Sequence, residues 1–254
     1  MNLAERVGGW VGNAGELGLL GGRALRRIFR RPVEVGAWLR QMDQIGVRSL
    51  GVAGITTLFT GMVLALQTAY SLPGLGVKYY IGTVVSKSLV RELSPVLVAL
   101  IVGGRIGAGM TAELGTMKVT EQIDALRAMA ADPIKKLVVP KMGATLLMLP
   151  VLTLLGDLLG VFGGSLIAVY ELGLTFAFYW NDVAAALTIE DIASGVGKSF
   201  FFAFFITTVA CHNGLTTTGG ADGVGRATTN TVVVASILVL ISDFLLTKLF
   251  YLLP

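Results

Sequence analysis

Cysteine and histidine are almost absent from this sequence, which has one of each, Cys211 and His212, in 254 residues. A single cysteine excludes a disulfide framework, and a single histidine excludes a zinc site built from several cysteine and histidine ligands. Because His212 lies at the end of an apolar stretch, no Ser/His/Asp constellation is visible. We therefore expect no catalysis, no metal site and no cofactor in this chain.

Charge is also scarce. Charged residues make up 14% of the chain and hydrophobic residues 54%, and the mean hydropathy is +0.76. These values differ from those of soluble globular proteins and indicate a membrane protein. The net charge of +4 does not indicate a nucleic-acid partner, because the basic residues lie at the edges of apolar stretches, as the positive-inside rule describes.

A membrane-spanning helix needs roughly 20 residues to cross a hydrocarbon core of about 30 Å. Five apolar stretches reach that length, at about residues 47–70, 80–104, 138–170, 192–213 and 231–252. The sequence therefore predicts an all-α integral membrane protein with five transmembrane helices. We expect one domain over residues 1–254, with an interfacial region at 1–45 and the five spans within 46–254.

Lysine and arginine are distributed unevenly between the predicted loops. Bases precede the first span and recur between spans two and three. In contrast, Lys78 is the only base between spans one and two, and residues 171–190 contain none. This asymmetry predicts a cytoplasmic N-terminus and a C-terminus on the opposite side.

The segment ELGLLGGRALRRIFRRPVEVGAWL, residues 16–39, is rich in arginine. On a helical wheel its apolar residues share one arc, and the other arc has Arg26 and the four arginines Arg23, Arg27, Arg30 and Arg31. This pattern predicts an interfacial helix, with these arginines on anionic lipid and an end or bend at Pro32. The alternative is an orientation signal with no other role.

The second span contains KSLVRELSPVLVAL, residues 87–100, with three charges inside an apolar stretch. Arg91 follows Tyr80 by eleven residues, which corresponds to a depth of about 16 Å in a helix. An ionised side chain near the bilayer centre costs roughly 2.5 to 3.5 kcal/mol on insertion scales. These side chains must therefore face protein, water or a ligand.

Helix geometry limits which groups can pair with these three charged side chains. Lys87 and Arg91 share a face, whereas Arg91 and Glu92 diverge by about 100°. We therefore expect a cationic face that lacks an anion and binds a lipid phosphate. Glu92 would contact an ammonium headgroup or a base on another helix. The alternative is an ion-pair network between helices that includes Asp157 or Asp243.

The loop between spans two and three contains a predicted short helix over residues 120–131. Ile123 and Leu126 recur at helical spacing, Asp124 and Arg127 form an i,i+3 pair, and Asp132 precedes Pro133 as the N-cap of the next helix. The apolar side of this helix either docks on a soluble partner or lies back on the membrane.

A phosphate-binding loop is suggested only superficially by IASGVGKSF, residues 192–200. The pattern requires a glycine where Ile192 stands, and Lys198 begins a phenylalanine-rich apolar stretch instead of following a strand. We therefore expect no nucleotide site in this chain.

Three segments resemble the MlaE-type permeases of MCE-associated ABC lipid transporters. They are TGMVLALQ in span one, residues 89–140 from LVRELSPV to KKLVVP, and GRATTNTVVVAS before span five. The similarity extends over nearly the whole chain, and the middle block is long and specific.

The resemblance implies a homodimeric permease of the bacterial inner membrane that moves phospholipid, with a periplasmic C-terminus. Two cytoplasmic ABC ATPase subunits would bind ATP and magnesium, and a periplasmic MCE-domain protein would exchange the lipid. The coupling helix that contacts the ATPase would include Thr120, Glu121, Gln122, Ile123, Asp124 and Leu126. Closure of the ATPase dimer would move the coupling helices and collapse a lipid cavity between the two copies.

The resemblance also implies the lipid-binding residues. Arg91 and Glu92 match the Arg-Glu pair beside the lipid cavity, and Leu66 and Gln67 belong to the matching segment of span one. Lys87 matches no family charge, so its predicted contact with lipid depends on the shared helix face alone.

A different class of function is a secondary transporter of an amphipathic or anionic substrate, driven by an ion gradient through Glu92, Asp157 and Asp243. Such proteins often contain internal inverted repeats, and this sequence shows no convincing repeat. A third class is a membrane scaffold, for which charges inside a span would be costly and without purpose.

Overall fold

The computed structural model describes residues 3–28, 35–71 and 80–252, and the side chains of these residues except at 3–14 and 251. The described residues are helical with short connections and contain no strand. Ten α-helices are described: α1, Leu3–Ile28; α2, Val35–Ile45; α3, Leu50–Ser71; α4, Ile81–Ser88; α5, Ser94–Val119; α6, Gln122–Ala128; α7, Val139–Tyr170; α8, Phe176–Ala186; α9, Ile189–Leu215; and α10, Gly220–Leu252.

Three shorter segments interrupt or extend these helices. A 3₁₀ turn, Val47–Ser49, precedes α3, and π-helical segments, Leu89–Leu93 and Ile134–Val138, precede α5 and α7. Five helical stretches among the described residues are long and apolar enough to cross a membrane: Val35–Ser71, Ile81–Val119, Ile134–Tyr170, Ile189–Leu215 and Gly220–Phe250. The predicted fold class and the number of spans are therefore confirmed.

The chain divides into two compact units. The first unit consists of residues 1–45, 103–146 and 203–238, and the second of residues 46–102, 147–202 and 239–254. The helices α5, α7, α9 and α10 contribute residues to both. The assignment of one domain stays a prediction.

The core of the first unit contains Ala24, Leu114, Val138, Met142 and Cys211, all without exposed surface. Leu20 and Ile28 on α1 pack against this cluster. A Cβ atom at Gly21 would lie 2.7 Å from the ring of Phe204, so α1 lies close against α9. The apolar side of α1 is therefore partly covered by protein.

The core of the second unit depends on a close approach of α3 and α7. A Cβ atom at Gly61 would lie 1.9 Å from the carbonyl oxygen of Gly160, and a Cβ atom at Gly163 would lie 2.2 Å from that of Leu58. Real Cβ atoms do not approach backbone so closely, so only glycine fits at these two positions. Small residues at such crossings are typical of helix packing in membranes.

The sequence did not predict α8. Thr175 precedes this helix and its hydroxyl accepts a hydrogen bond from Phe178 N at 3.3 Å. Asp182 on α8 accepts bonds from Thr83 N at 2.8 Å and from the Thr83 hydroxyl at 2.6 Å. Because Thr83 lies in the first turn of α4, Asp182 satisfies a backbone donor that the helix itself leaves open.

Candidate functional site

Arg91 and Glu92 lie on the π-helical segment inside the second span. Leu89 and Val90 of this segment are buried, whereas the side chains of Arg91 and Glu92 are 31% and 37% exposed. Single π turns inside α-helices frequently occur at functional sites. Here the turn carries two charges to different protein partners.

Lys198 on α9 is the partner of Glu92. Its Nζ atom donates to Glu92 Oε2 at 2.5 Å, to the Thr247 hydroxyl at 2.7 Å and to the carbonyl oxygen of Arg91 at 3.1 Å. Asp243 Oδ1 lies 3.1 Å from the same nitrogen. Lys198 has no exposed surface, and a buried ammonium requires such compensation.

Asp191 is the partner of Arg91, with 3.4 Å between Arg91 Nε and Asp191 Oδ1. Thr188 and Asp191 begin α9 as a reciprocal cap: Asp191 Oδ2 accepts from Thr188 N at 2.9 Å, and Asp191 N donates to the Thr188 hydroxyl at 3.3 Å. Lys87 lies within electrostatic range of Asp191. The expectation that the cationic face lacks an anion from the protein is therefore wrong.

The charged cluster is formally balanced. We define it as three basic and three acidic side chains of the second unit: Lys87, Arg91, Lys198, Glu92, Asp191 and Asp243. The alternative of an ion-pair network is confirmed for Asp243, but Asp157 forms no ion pair with any residue that the structure describes. Arg91 and Glu92 retain exposed surface, so a ligand can still reach both of them.

Leu66 and Gln67 lie on an exposed side of α3 in the same unit. Within the described part of the chain, the Gln67 side chain makes no hydrogen bond. Their role in lipid binding stays a prediction.

The predicted coupling helix is formed by α6, which is shorter than expected. Glu121 and Ala130 flank it with φ angles of 60° and 54°, the positive values that the structure describes at residues other than glycine. This conformation costs roughly 1 to 2 kcal/mol for a residue with a Cβ atom. The two residues therefore define sharp corners on either side of the helix.

Two bases hold Asp124 on α6. Lys118 Nζ lies 2.8 Å from Asp124 Oδ2, and Arg127 Nη1 lies 3.0 Å from Asp124 Oδ1. The hydrogen bond from Lys118 and the charges of both bases lower the pKa of Asp124 below its usual value. The predicted pair of Asp124 and Arg127 is confirmed. Asp132 also caps the next helix as predicted, because Ile134 N donates to its Oδ1 at 3.0 Å.

The apolar side of α6 is partly buried within this chain. Ile123 has no exposed surface, so it offers no docking surface of its own, and its place in the coupling helix stays a prediction. Its role is to anchor α6. The outer side exposes Thr120, Glu121, Gln122 and Asp124, with Leu126 partly buried, and Met129 is 70% exposed beyond the helix end.

The predicted interfacial arginines have different surroundings. Arg23 is exposed, whereas Arg27 forms an ion pair with Asp132 in the first unit. Arg30, Arg31 and Pro32 lie outside the described residues. Binding of Arg23 to anionic lipid stays a prediction, and Arg27 has a protein partner that the sequence did not indicate.

Comparison with known families identifies the chain. The model of the family described as "Permease MlaE" matches residues 38–249. The chain belongs to the MlaE permease family. It is 39% identical to the intermembrane phospholipid transport system permease protein MlaE of Haemophilus influenzae, with 84% of this chain and 82% of that protein covered.

Two further proteins are similar over most of this chain. A protein of Rickettsia conorii named as a probable ABC transporter permease is 43% identical, with 98% of each chain covered. The chloroplastic protein TRIGALACTOSYLDIACYLGLYCEROL 1 of Arabidopsis thaliana is 37% identical over 92% of this chain and 67% of its own length.

Lys198 is the site residue that sequence reasoning missed in this MlaE-family chain. In the sequence, Lys198 stands out as the end of a phosphate-binding pattern, although a lysine inside an apolar span also raises the same question as Arg91. Asp191 gave a second signal, because Thr188 and Asp191 have the spacing of a helix cap. Spacing could locate both residues near α9, but it could not show that they face the second span.

Proposed function

We propose that this chain is the transmembrane permease subunit of an ABC transporter that moves phospholipid between the inner membrane and a periplasmic MCE-domain partner. The observation that carries the proposal is the partly exposed pair of Arg91 and Glu92, held by buried charges inside a membrane-spanning helix of an MlaE-family chain. The name of the Haemophilus relative specifies intermembrane phospholipid transport, which supports the choice of substrate.

The charged cluster binds the headgroup by exchanging partners. A lipid phosphate competes with Asp191 for the guanidinium of Arg91, whose planar fork suits phosphate oxygens. Lys87 adds a second positive charge on that side. An ammonium headgroup contacts the exposed part of Glu92, while Lys198 keeps the carboxylate in place. Because the cluster is balanced, a headgroup with both charges leaves it balanced.

A separate ATPase subunit supplies the energy and binds ATP and magnesium. Its docking surface is the outer side of α6, which exposes polar side chains and is anchored by Ile123, together with the exposed Met129 just beyond the helix end. Movement of α6 passes to the spans, because α5 and α7 adjoin it along the chain. The N-terminus and α6 lie on the cytoplasmic side, and the C-terminus is periplasmic.

The transporter contains two copies of this chain. The support is a stripe of exposed residues along α10 at helical spacing, namely Gly225, Thr229, Val233, Ile237, Leu240 and Phe244. Its small residues permit close approach of a second helix, and its apolar residues suit a contact within the membrane.

Reconstitution tests the proposal. The chain is placed in liposomes with its ATPase, and transfer of a fluorescent phospholipid to the MCE-domain protein is measured with ATP, with ADP and with an ionophore. We expect transfer that requires ATP and ignores the ionophore. Transfer that ignores nucleotide but stops with the ionophore would instead indicate a secondary transporter.

Arg91→Gln tests the site within the same assay. A hydrogen bond to a charged group contributes about 1.5 to 3 kcal/mol, so we expect transfer to fall by roughly tenfold or more. Lys248→Met is the control, because this lysine also carries one positive charge but is exposed on α10. Normal transfer by Arg91→Gln would remove Arg91 from the lipid site.

A further inference from the structure

A cavity of about 490 Å³ lies in the first unit, between α1, the connection from α6 to α7 and the end of α9. Its volume is in the range of ligand pockets in proteins. Charged and apolar side chains both line it, among them Glu16, Arg23, Arg127, Ile134 and Leu215. No residue of the charged cluster belongs to this lining.

One face of α1 forms a wall of the cavity. The wall contains Glu16, Leu19, Leu20 and Arg23. Their positions i, i+3, i+4 and i+7 place them on the same side of the helix. The two leucines therefore lie between an acid and a base that are about 10 Å apart along the helix axis. Leu19 is 60% exposed, so this wall offers apolar surface with an opposite charge at either end.

A ligand can reach the charged side chains of the lining. The side chains of Glu16 and Arg127 are 67% and 59% exposed, and Arg23 is exposed as well. Arg23 makes neither an ion pair nor a hydrogen bond with any residue that the structure describes. Glu16 accepts no hydrogen bond within the same ranges, and His212 Nε2 lies 3.9 Å from its Oε2 atom, beyond hydrogen-bond distance. Both groups therefore have hydrogen-bonding capacity left for a ligand.

The charges around the cavity leave an excess of one positive charge. They are the charged residues of the lining and the residues joined to them through ion pairs, namely the bases Arg23, Arg27, Lys118 and Arg127 and the acids Glu16, Asp124 and Asp132. With the imidazole of His212 uncharged, there are thus four bases and three acids. A ligand with one net negative charge balances the site.

The chemistry of the lining selects a phosphodiester that also carries hydroxyl groups. Guanidinium groups donate to phosphate oxygens, whereas a carboxylate such as Glu16 only accepts hydrogen bonds and therefore suits a hydroxyl. The apolar part of the lining favours a lipid over a soluble phosphate. Leu215 ends the membrane-spanning stretch Ile189–Leu215 and lines the cavity, so the cavity lies at the level of the lipid headgroups.

We propose that this cavity binds the headgroup of phosphatidylglycerol, with the phosphate at Arg23 and Arg127 and a glycerol hydroxyl at Glu16. The single negative charge of this lipid balances the site. The bound lipid joins α1 to the last turn of α6, because Arg127 belongs to that turn. The site lies inside one copy of the chain and does not rest on the proposed transport function. It is separate from the headgroup contact at Arg91 and Glu92.

Photoaffinity labelling of the full chain in phosphatidylcholine nanodiscs tests this proposal. The probe is phosphatidylglycerol with a diazirine at the start of one acyl chain, and the competitors are phosphatidylglycerol, phosphatidylethanol and glycerol 3-phosphate. We expect the label on α1 and on residues 132–134, with phosphatidylglycerol the strongest competitor. Phosphatidylethanol has the same phosphodiester and charge but no headgroup hydroxyl, so equal competition by it would overturn the proposal. Displacement of the probe by glycerol 3-phosphate would indicate a site for soluble phosphate and would also overturn it.

Arg23→Gln tests the phosphate contact, because it keeps a polar side chain but removes the charge. Hydrogen bonds between charged groups are among the stronger ones, so we expect labelling to fall roughly tenfold. Arg26→Gln is the matched control, because Arg26 is an exposed arginine of the same helix that does not line the cavity. Neither change removes an ion pair or a hydrogen bond within the described residues, so both variants should keep the melting temperature of the unchanged chain. An equal fall in both variants would indicate general attraction of anionic lipid to α1 and contradict a defined site, as would unchanged labelling of Arg23→Gln.

Discussion

Lys198 Nζ lies 2.5 Å from Glu92 Oε2, so an ammonium without exposed surface neutralises a carboxylate that is 37% exposed. The base is the fixed member of the pair and the acid is the accessible one. In the proposed function, the lipid contact at Glu92 therefore depends on a residue that no substrate can reach.

Lys198→Met should destabilise the protein strongly, because it leaves Glu92 and Asp243 without their shared counterion. Removing one partner of a buried pair costs about 3 to 5 kcal/mol, and partial exposure of the two acids places this change at the lower end. The measurement is the apparent melting temperature in detergent. Lys248→Met, the same change at an exposed position of α10, should leave it unaltered.

The double variant Lys198→Met/Glu92→Gln completes this comparison. Removing the charge of the acid together with that of the base should recover part of the lost stability. A double variant that is no more stable than Lys198→Met would contradict the coupling of the two residues.

Met129→Ala and Leu126→Ala should weaken association with the ATPase subunit. A central contact residue of an interface typically contributes 1 kcal/mol or more, so the amount of ATPase that co-purifies should fall about fivefold or more. Asp124→Ala should act through the same surface and also through the loss of its bonds to Lys118 and Arg127. Glu171→Ala, an exposed acid in another loop, is the control. Unchanged co-purification in all three variants would exclude this surface.

Gly61→Ala should destabilise the second unit, because the new methyl group would lie 1.9 Å from the carbonyl oxygen of Gly160. Gly51→Ala on the same helix is the matched control, because nothing lies within 4 Å of a Cβ atom there. Alanine favours a helix over glycine by about 1 kcal/mol, so this control should melt at the same or a higher temperature. Equal melting temperatures for the two variants would contradict the close approach of α3 and α7.

Cys211 provides a way to test the orientation of the chain, because it is completely buried and should not react with a maleimide in the folded protein. Cysteines introduced at exposed positions should then be labelled selectively. We expect a membrane-impermeant maleimide to label Tyr170→Cys from the periplasm and Met129→Cys only after the membrane is opened. The reverse pattern would place the N-terminus on the periplasmic side.

The membrane spans were predictable because hydropathy and length are properties of one continuous stretch of sequence. The helix that contains Arg23 and the helix cap at Asp132 were also predictable, since each depends on residues close together in sequence. The helix α8 was not predicted, because its eleven residues are too few for a membrane span. Thr175 is nevertheless a residue type that favours a helix N-cap.

The partners of the charges could not be predicted in the same way. Periodicity places Lys87 and Arg91 on one helix face, but it does not say which face of another helix meets them. Asp191 and Lys198 lie about one hundred residues further along the chain, and only the fold brings them to Arg91 and Glu92. The burial of Ile123 follows from tertiary packing as well, because its spacing on α6 fits an outward or an inward contact equally.

The spacing of Asp191 and Lys198 on α9 has a mechanical consequence. Seven residues make almost two helical turns, so the two side chains lie on one face, about 10 Å apart along the axis. Their partners, Arg91 and Glu92, are neighbours on a single π turn. A slide of α9 along its axis would therefore lengthen the ion pairs Arg91–Asp191 and Glu92–Lys198 together. A single movement of this helix would break both contacts with the π turn.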